Sequence, residues 1–501
     1  MQMTIACSMK ILILSCLAFS LIAWSEAPIE TDLADVITQS TDKKPNILLL
    51  YMDDLRPELN SYGHKQIISP NIDALANRSV QFTQAYSNVA VCGASRASML
   101  TGMLPTKTRF IDYKTRLDIE TPNQVTWPRL LKDNGYTTIS NGKIYHHLDD
   151  RVSDWDEVWR PYAFDENDQD LSPLDYWQSL WKDYQLAENI ELYKATDTGP
   201  AYESADVSDN TYIDGMLTDK VIKDLKQLKA SGKPFLLTAG FIAPHLPFNA
   251  PTKYWDMYDR KEITQPYNNF VPKNAPKTSI SRWGEMRAYT GIPKKGGVSD
   301  ETAISLIHGY FATVSYVDAL IGKIMAALTN LELDKNTVII FVSDHGYNLQ
   351  EHTQWGKYTS YRTSTRVPLM IHLPSMEKGI KSDALVDLTD IYPTIIELLK
   401  LKLPEHQLAG ESLVPILKDP SLDGKSHVFL KNGQGFTIQT QEYSYTEFIN
   451  GDNEVFSSML YDHRTDRDEN INVVDETSYS DAVSKLSKLL HTEYASNIIG
   501  D

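Results

Sequence analysis

Three continuously apolar runs constrain this chain more than any other feature. They are Ile47-Leu48-Leu49-Leu50-Tyr51-Met52, Phe235-Leu236-Leu237-Thr238-Ala239-Gly240 and Thr337-Val338-Ile339-Ile340-Phe341-Val342. A short run without polar alternation, bounded by turn-forming residues, reads as a strand buried on both faces, and such strands occur in parallel sheets covered by helices on either side. Between the runs lie stretches with apolar residues at three- and four-residue steps, notably Ala303 to Leu328, the spacing of an amphipathic helix. The alternation predicts an α/β core with a mostly parallel central sheet flanked by helices. Each run delivers polar residues just past its end: Asp53-Asp54 after the first, the path towards His245 after the second, and Ser343-Asp344-His345-Gly346 after the third. Open parallel sheets bind ligands at their carboxyl edge, so these groups are predicted to meet in one crevice.

Among 501 residues, 42% are hydrophobic and 23% charged, the composition of a soluble globular chain. The net charge of -18 excludes nucleic acid as a partner, because a polyanion is repelled, while a small anion can still enter a locally cationic pocket. Near the start, Lys10 precedes the apolar run Ile11 to Ala23, and Ala23-Trp24-Ser25 offers the small residues a signal peptidase reads. Residues 1–25 are therefore read as a secretory signal, with Met9 as an alternative start, and the run is too short to span a membrane. The rival is a lipoprotein anchored at Cys16, disfavoured by the short apolar stretch after Lys10. Residues 26–44 are polar and aperiodic, a flexible tether. A catalytic domain is expected over 45–417. From Ser426 to Phe448 the pattern alternates as in short antiparallel strands, and a helix from about Tyr479 to Tyr494 closes a small α+β subdomain over 418–501. The Trp-, Tyr- and acid-rich stretch Asp149 to Pro200 is either a surface subdomain with inward aromatics or a substrate-facing insertion.

Of the three cysteines, Cys7 and Cys16 fall in the leader. The mature chain thus keeps Cys92 alone, without an internal disulfide partner. A lone exported cysteine is a buried hydrophobe, an oxidation-prone thiol, or a residue kept for its chemistry. Asp53, Asp54 and Asp344 at neighbouring strand ends would repel one another unless a cation sat between them, and oxygen donors suit calcium, with magnesium as another occupant.

Cys92 lies in Val91-Cys92-Gly93-Ala94-Ser95-Arg96-Ala97-Ser98-Met99-Leu100-Thr101-Gly102. With Asp53-Asp54, Gly142-Lys143-Ile144-Tyr145-His146, Pro244-His245-Leu246-Pro247-Phe248, Ser343-Asp344-His345-Gly346, and Glu351-His352 with Trp355-Gly356-Lys357-Tyr358, this pattern resembles the type I sulfatases, most closely the iduronate-2-sulfatase branch. The resemblance implies an alkaline-phosphatase-like fold, a Cys92 that a maturation enzyme converts to formylglycine, whose hydrate is the nucleophile, and one calcium ion held by Asp53, Asp54, Asp344, His345 and an oxygen of modified Cys92. It further implies that Lys143, Lys357 and Arg96 stabilise the sulfate, that His146 assists the nucleophile, and that His245 protonates the leaving alcohol. A helix starting near Cys92 would put Arg96 on the same face and its dipole beside the anion. His147 stands next to His146 as a possible substitute; His308 and His372 read as core histidines.

This chain departs from the family at Ala94, an accepted variant of the usual proline, at Tyr347 in place of tryptophan, and at Ala243, where a basic residue is common. The last change removes a partner for a uronate carboxylate. The expected protein is an exported, periplasmic or secreted sulfatase acting on sulfated carbohydrate, algal (ulvan, carrageenan) or glycosaminoglycan. Its rivals are a phosphonate or phosphodiester hydrolase of the same superfamily and a non-catalytic binder of sulfated glycans.

Overall fold

A computed structural model describes residues 44–498 apart from Leu148, residues 162–182 and Ser375. The leader with Cys7 and Cys16, the tether before Lys44 and the middle of the Asp149 to Pro200 stretch lie outside the described residues.

The three apolar runs are neighbours at the centre of an eight-stranded sheet. Its order is Ile380–Asp387, Val80–Tyr86, Arg366–His372, Thr337–Ser343, Asn46–Met52, Phe235–Gly240, Thr137–Gly142 and Glu157–Trp159. Only Arg366–His372 runs antiparallel to its neighbours; the other pairings are parallel. Met52 pairs with Ser343, and Tyr51 with Gly240. The chain therefore leaves all three strands at one level, which sets Asp53, Phe241 and Asp344 side by side.

Alternate residues of Asn46–Met52 serve different layers, as the two-residue period of a strand requires. Leu48, Leu50 and Met52 pack with helices Ile213–Ser231 and Asp300–Asn330. Ile47, Leu49 and Tyr51 pack with helices Cys92–Thr101, Trp127–Asp133 and Ile391–Leu398. This two-sided burial explains why the strands carry no polar alternation. Asp300–Asn330 starts at Ser299, whose hydroxyl accepts the Thr302 amide, an N-cap worth about 1 kcal/mol. It is long and apolar enough to cross a membrane, yet 72% of its most apolar window is buried in the protein, as befits a core helix.

The C-terminal strands Val428–Asn432, Gly435–Gln439, Tyr443–Ile449 and Val455–Asp462 form an antiparallel meander. Helix Ser480–Ile498 lays Leu486 and Leu490 on Phe429, Phe436, Ile438, Tyr445 and Leu460. The described parts of Asp149 to Pro200 bury Trp155 and Tyr184, while helix Ala187–Thr196 buries none of its residues.

Candidate active site

Cys92 is the first residue of helix Cys92–Thr101, entered from extended Val91. The next position must be glycine, since a Cβ on Gly93 would lie 2.6 Å from the Tyr113 carbonyl oxygen. Cys92 is buried and unpaired, with Sγ 3.3 Å from His345 Nε2. His345 Nδ1 donates to the Gly346 carbonyl at 2.9 Å, which turns Nε2 towards the sulfur. Burial, reinforced by the Asp53 carboxylate, pushes the thiol up. An un-ionised thiol is a poor nucleophile, so cysteine as such is badly placed for attack.

Asp53, Asp54 and Asp344 are wholly buried. Asp53 Oδ2 pairs with Lys143 Nζ, whereas its Oδ1 is buried without a hydrogen-bond partner. Both Asp54 oxygens receive Lys357 Nζ at 2.9 Å. Burial would raise the Asp53 carboxyl, but Lys143, His245 and Arg96 outweigh it and hold the group well below the usual range. For Asp54 burial wins over Lys357 and the histidines, and the shift is upward.

Asp53, Asp54, Cys92 and His345 each offer a ligand atom, all within 4.8 Å of one another. Of the five predicted ligands these four come together, and Asp344 lies beside them. Its Oδ2 is committed to Arg96, and its Oδ1 accepts the Asp54 and His345 amides and lies 3.7 Å from His345 Nε2. The residues fit a divalent cation, because two of the four are carboxylates and Asp53 Oδ1 has no hydrogen-bond partner, only Arg96 Nη2 at 3.8 Å. The sulfur of Cys92 and the imidazole nitrogen of His345 are softer than the oxygen donors such a cation prefers, the sulfur the more so.

The cations line up around these acids. Gly142 has φ +69°, and a Cβ there would strike the Gly240 carbonyl; the turn it permits carries Lys143 to Asp53. Arg96 differs from the expectation that it faces the sulfate. Its guanidinium lies 4.3 Å over the Tyr51 ring and donates to Asp344, to the carbonyls of Lys143 and Ile144, and to Met52. A fully buried arginine so engaged braces the strand ends.

His245 Nδ1 donates to the Leu246 carbonyl at 2.7 Å, leaving Nε2 to face Glu285 Oε1 at 2.9 Å and Asp54 Oδ2 at 3.7 Å. Burial and Lys357 oppose its protonation, but Asp54, Glu285 and Asp53 prevail and raise it to about 10. Burial, with Lys143 and His147, drives His146 well below its ordinary value, so it stands as a neutral imidazole between Tyr113 and His147, its ring 6.2 and 5.0 Å from theirs. His245 is thus held towards the imidazolium and His146 towards the neutral imidazole. His308 and His372 meet the carbonyls of Trp255 and Arg78, as core histidines do.

Two contributors escaped the sequence reading. Glu285 bridges His245 and Lys357, with Oε2 3.0 Å from Lys357 Nζ, and it sits in a loop without motif or period. Asp214 accepts the amides of Ile242 and Ala243 at 3.0 and 2.8 Å, fixing the loop that carries His245; nothing local distinguishes it from a helix-surface acid. Tyr347, noted as a departure, is a core residue stacked on Tyr310.

Comparison with known proteins places this geometry in context. The Sulfatase family model matches residues 45–401, and a model for the C-terminal part of N-sulphoglucosamine sulphohydrolase matches 350–496. Iduronate 2-sulfatase of Mus musculus is 30% identical over 500 residues, covering 83% of this chain and 87% of the relative. Among solved structures, an enzyme in complex with its substrate D-glucosamine-2-N,6-O-disulfate superposes with TM-score 0.71 at 23% identity, over 91% of this chain and 99% of the other. A phosphonate monoester hydrolase from Silicibacter pomeroyi does so with TM-score 0.71 at 22% identity, over 91% and 96%. These structural likenesses establish the alkaline-phosphatase-like fold and do not separate sulfate from phosphonate chemistry.

Proposed function

The chain belongs to the sulfatase family and is by class a sulfuric ester hydrolase, and from that premise we propose that it hydrolyses sulfate esters on carbohydrates with calcium and with Cys92 converted to formylglycine. The observation that carries the reading is the convergence of Asp53, Asp54, Cys92 and His345 within 4.8 Å, faced by Lys143, Lys357 and His245. The conversion of Cys92 is supported by its burial as an un-ionised thiol beside hard-cation donors.

Bound calcium, held by Asp53, Asp54, His345 and an oxygen in place of Sγ, would polarise the sulfate, and formylglycine would supply a geminal diol as nucleophile. The chain's own groups divide the remaining work. Lys143 and Lys357 donate to the non-bridging sulfate oxygens, countering the charge that spreads over them as sulfur is attacked. Arg96 acts through Asp344 by fixing its carboxylate. Neutral His146 accepts the nucleophile's proton, and His245 gives the Nε2 proton to the departing alcohol. The alcohol leaves as sulfate passes to the diol oxygen; His146 would then assist loss of the proton from the remaining hydroxyl, expelling inorganic sulfate and regenerating the aldehyde, which water rehydrates.

A carbohydrate substrate is supported by the relatives named for iduronate 2-sulfate and for a glucosamine disulfate. Export to the periplasm or medium, and activation by a formylglycine-generating enzyme, complete the proposal on the strength of the leader and the Cys92 motif. The phosphonate reading has an equal claim on the fold, but the sulfatase model and relative favour sulfate. Turnover of an aryl sulfate against the matching aryl phosphodiester tests the choice: faster sulfate release is expected, and faster phosphodiester cleavage would reverse it. No release from any sulfate ester or phosphodiester by metal-loaded, converted protein would leave only the glycan binder.

A further inference from the structure

Glu285 is the partly exposed member of a cluster in which it meets buried His245 and Lys357. Its side chain is 26% accessible, against 1% for both His245 and Lys357. It therefore stands at the mouth, and its Oε1 occupies the position in front of His245 Nε2. On the proposed sulfatase reading, a leaving oxygen must come within about 3 Å of that nitrogen to receive its proton. The sugar carbon bearing the ester, and the substituents beside it, then lie against Glu285. Among the described residues, the two nearest candidates do not offset that negative charge from the sugar side. Ala243, on the loop carrying His245, offers no cation. Arg287, two residues along from Glu285, is turned onto the carbonyls of Arg282, Pro293 and Gly296. Lys357 and His245, which touch Glu285, are the groups that sulfate and leaving oxygen engage.

We propose that Glu285 is a specificity residue: it accepts a hydrogen bond from a hydroxyl or ammonium group next to the scissile ester and disfavours a sugar ring that carries a carboxylate. The preferred substrate class is then a sulfated neutral sugar or amino sugar rather than a sulfated uronate. Like charges brought against one another at the mouth repel, and that repulsion orders substrates of equal size.

The test compares kcat/KM for a sulfated hexose or hexosamine with that for a uronate sulfated at the corresponding position, in wild type and in Glu285→Gln. An aryl sulfate, which lacks the sugar, serves as the control. Wild type should prefer the sugar without carboxylate, and Glu285→Gln should shrink that preference about ten-fold or more by improving the uronate. The Cys92→Ala protein, which cannot turn over, should show the same preference in its Kd values. Preference for the uronate by wild type would overturn the proposal. So would an equal loss on all three substrates in Glu285→Gln, since that marks a residue that only positions His245 and Lys357. Loss of the aryl sulfate reaction in wild type would instead remove the sulfatase reading, and this proposal with it.

Discussion

Arg96 donates its Nε–H to Asp344 Oδ2 at 2.9 Å, and its Nη2 lies 2.9 Å from the same oxygen as an ion-pair contact. Both side chains are buried, and Asp344 Oδ1 in turn receives the Asp54 and His345 amides. The pair therefore clamps the ends of two central strands together. Removing one partner of such a pair strands a buried charge, at a cost of about 3–5 kcal/mol. Arg96→Ala should lower stability by that amount in urea unfolding. A loss below about 1 kcal/mol, with activity gone, would return Arg96 to the substrate-binding role.

Cys92 should be formylglycine in active protein. Peptide mass spectrometry reads the change directly, and Cys92→Ala should abolish turnover while leaving the fold intact. A fully active preparation holding only the thiol would disprove the proposed nucleophile.

Metal removal has a separate signature. An ion bound only by the folded chain stabilises it by mass action, and its loss leaves Asp53, Asp54 and Asp344 facing one another. Chelation should lower both Tm and activity, and calcium should restore them. Asp53→Asn should reduce ion content, because Asp53 Oδ1 has no other hydrogen-bond partner; wild-type ion content and activity in that variant would rule the site out.

Much of this arrangement was legible because the chemistry sits where the pattern is strongest. Asn46–Met52, Phe235–Gly240 and Thr337–Ser343 are covered on both faces, so their apolar runs carry no ambiguity, and the acids and histidine follow directly. The flanking strands were harder. Val80–Tyr86 includes Gln81, Thr83 and Gln84, and Thr137–Gly142 includes Ser140 and Asn141, whose polar groups find partners only in the fold, as Asn141 does on Asp224. Glu285 and Asp214 were illegible for the same reason: each matters through residues distant in sequence. Arg96 was found, but its partner was not, because spacing along a helix says nothing of what lies across from it.

Glu58 should set part of the acid limit of stability. Burial would raise its carboxyl, but Arg56 at 2.6 Å and His64 at 3.0 Å pull it down to about 2 from an ordinary 4.5. A depressed carboxylate stabilises the fold above the unfolded value, and the contribution is lost as pH falls from 4.5 towards 2. Its size is up to about 3 kcal/mol. Glu58→Gln should therefore lower Tm near neutrality and flatten its decline below pH 4.5. An unchanged Tm profile would show that the Arg56–Glu58 pair contributes nothing net.

The proton assignments give the most discriminating test. His245 Nδ1 is held by the Leu246 carbonyl, so Nε2 alone can reach the departing oxygen. Sugar alkoxides are strongly basic and need that proton, whereas a phenolate leaves without it. His245→Ala should thus cripple hydrolysis of sugar sulfates and spare an activated aryl sulfate by a margin of about two orders of magnitude or more. His146 acts before the leaving group matters, and His146→Ala should slow both substrates alike. A misfolded variant would also lose both together, so each protein must first show wild-type unfolding and ion content. Equal losses on the two substrates for a folded, metal-loaded His245→Ala would refute the proton-donor role, and a selective loss for His146→Ala would exchange the two histidines.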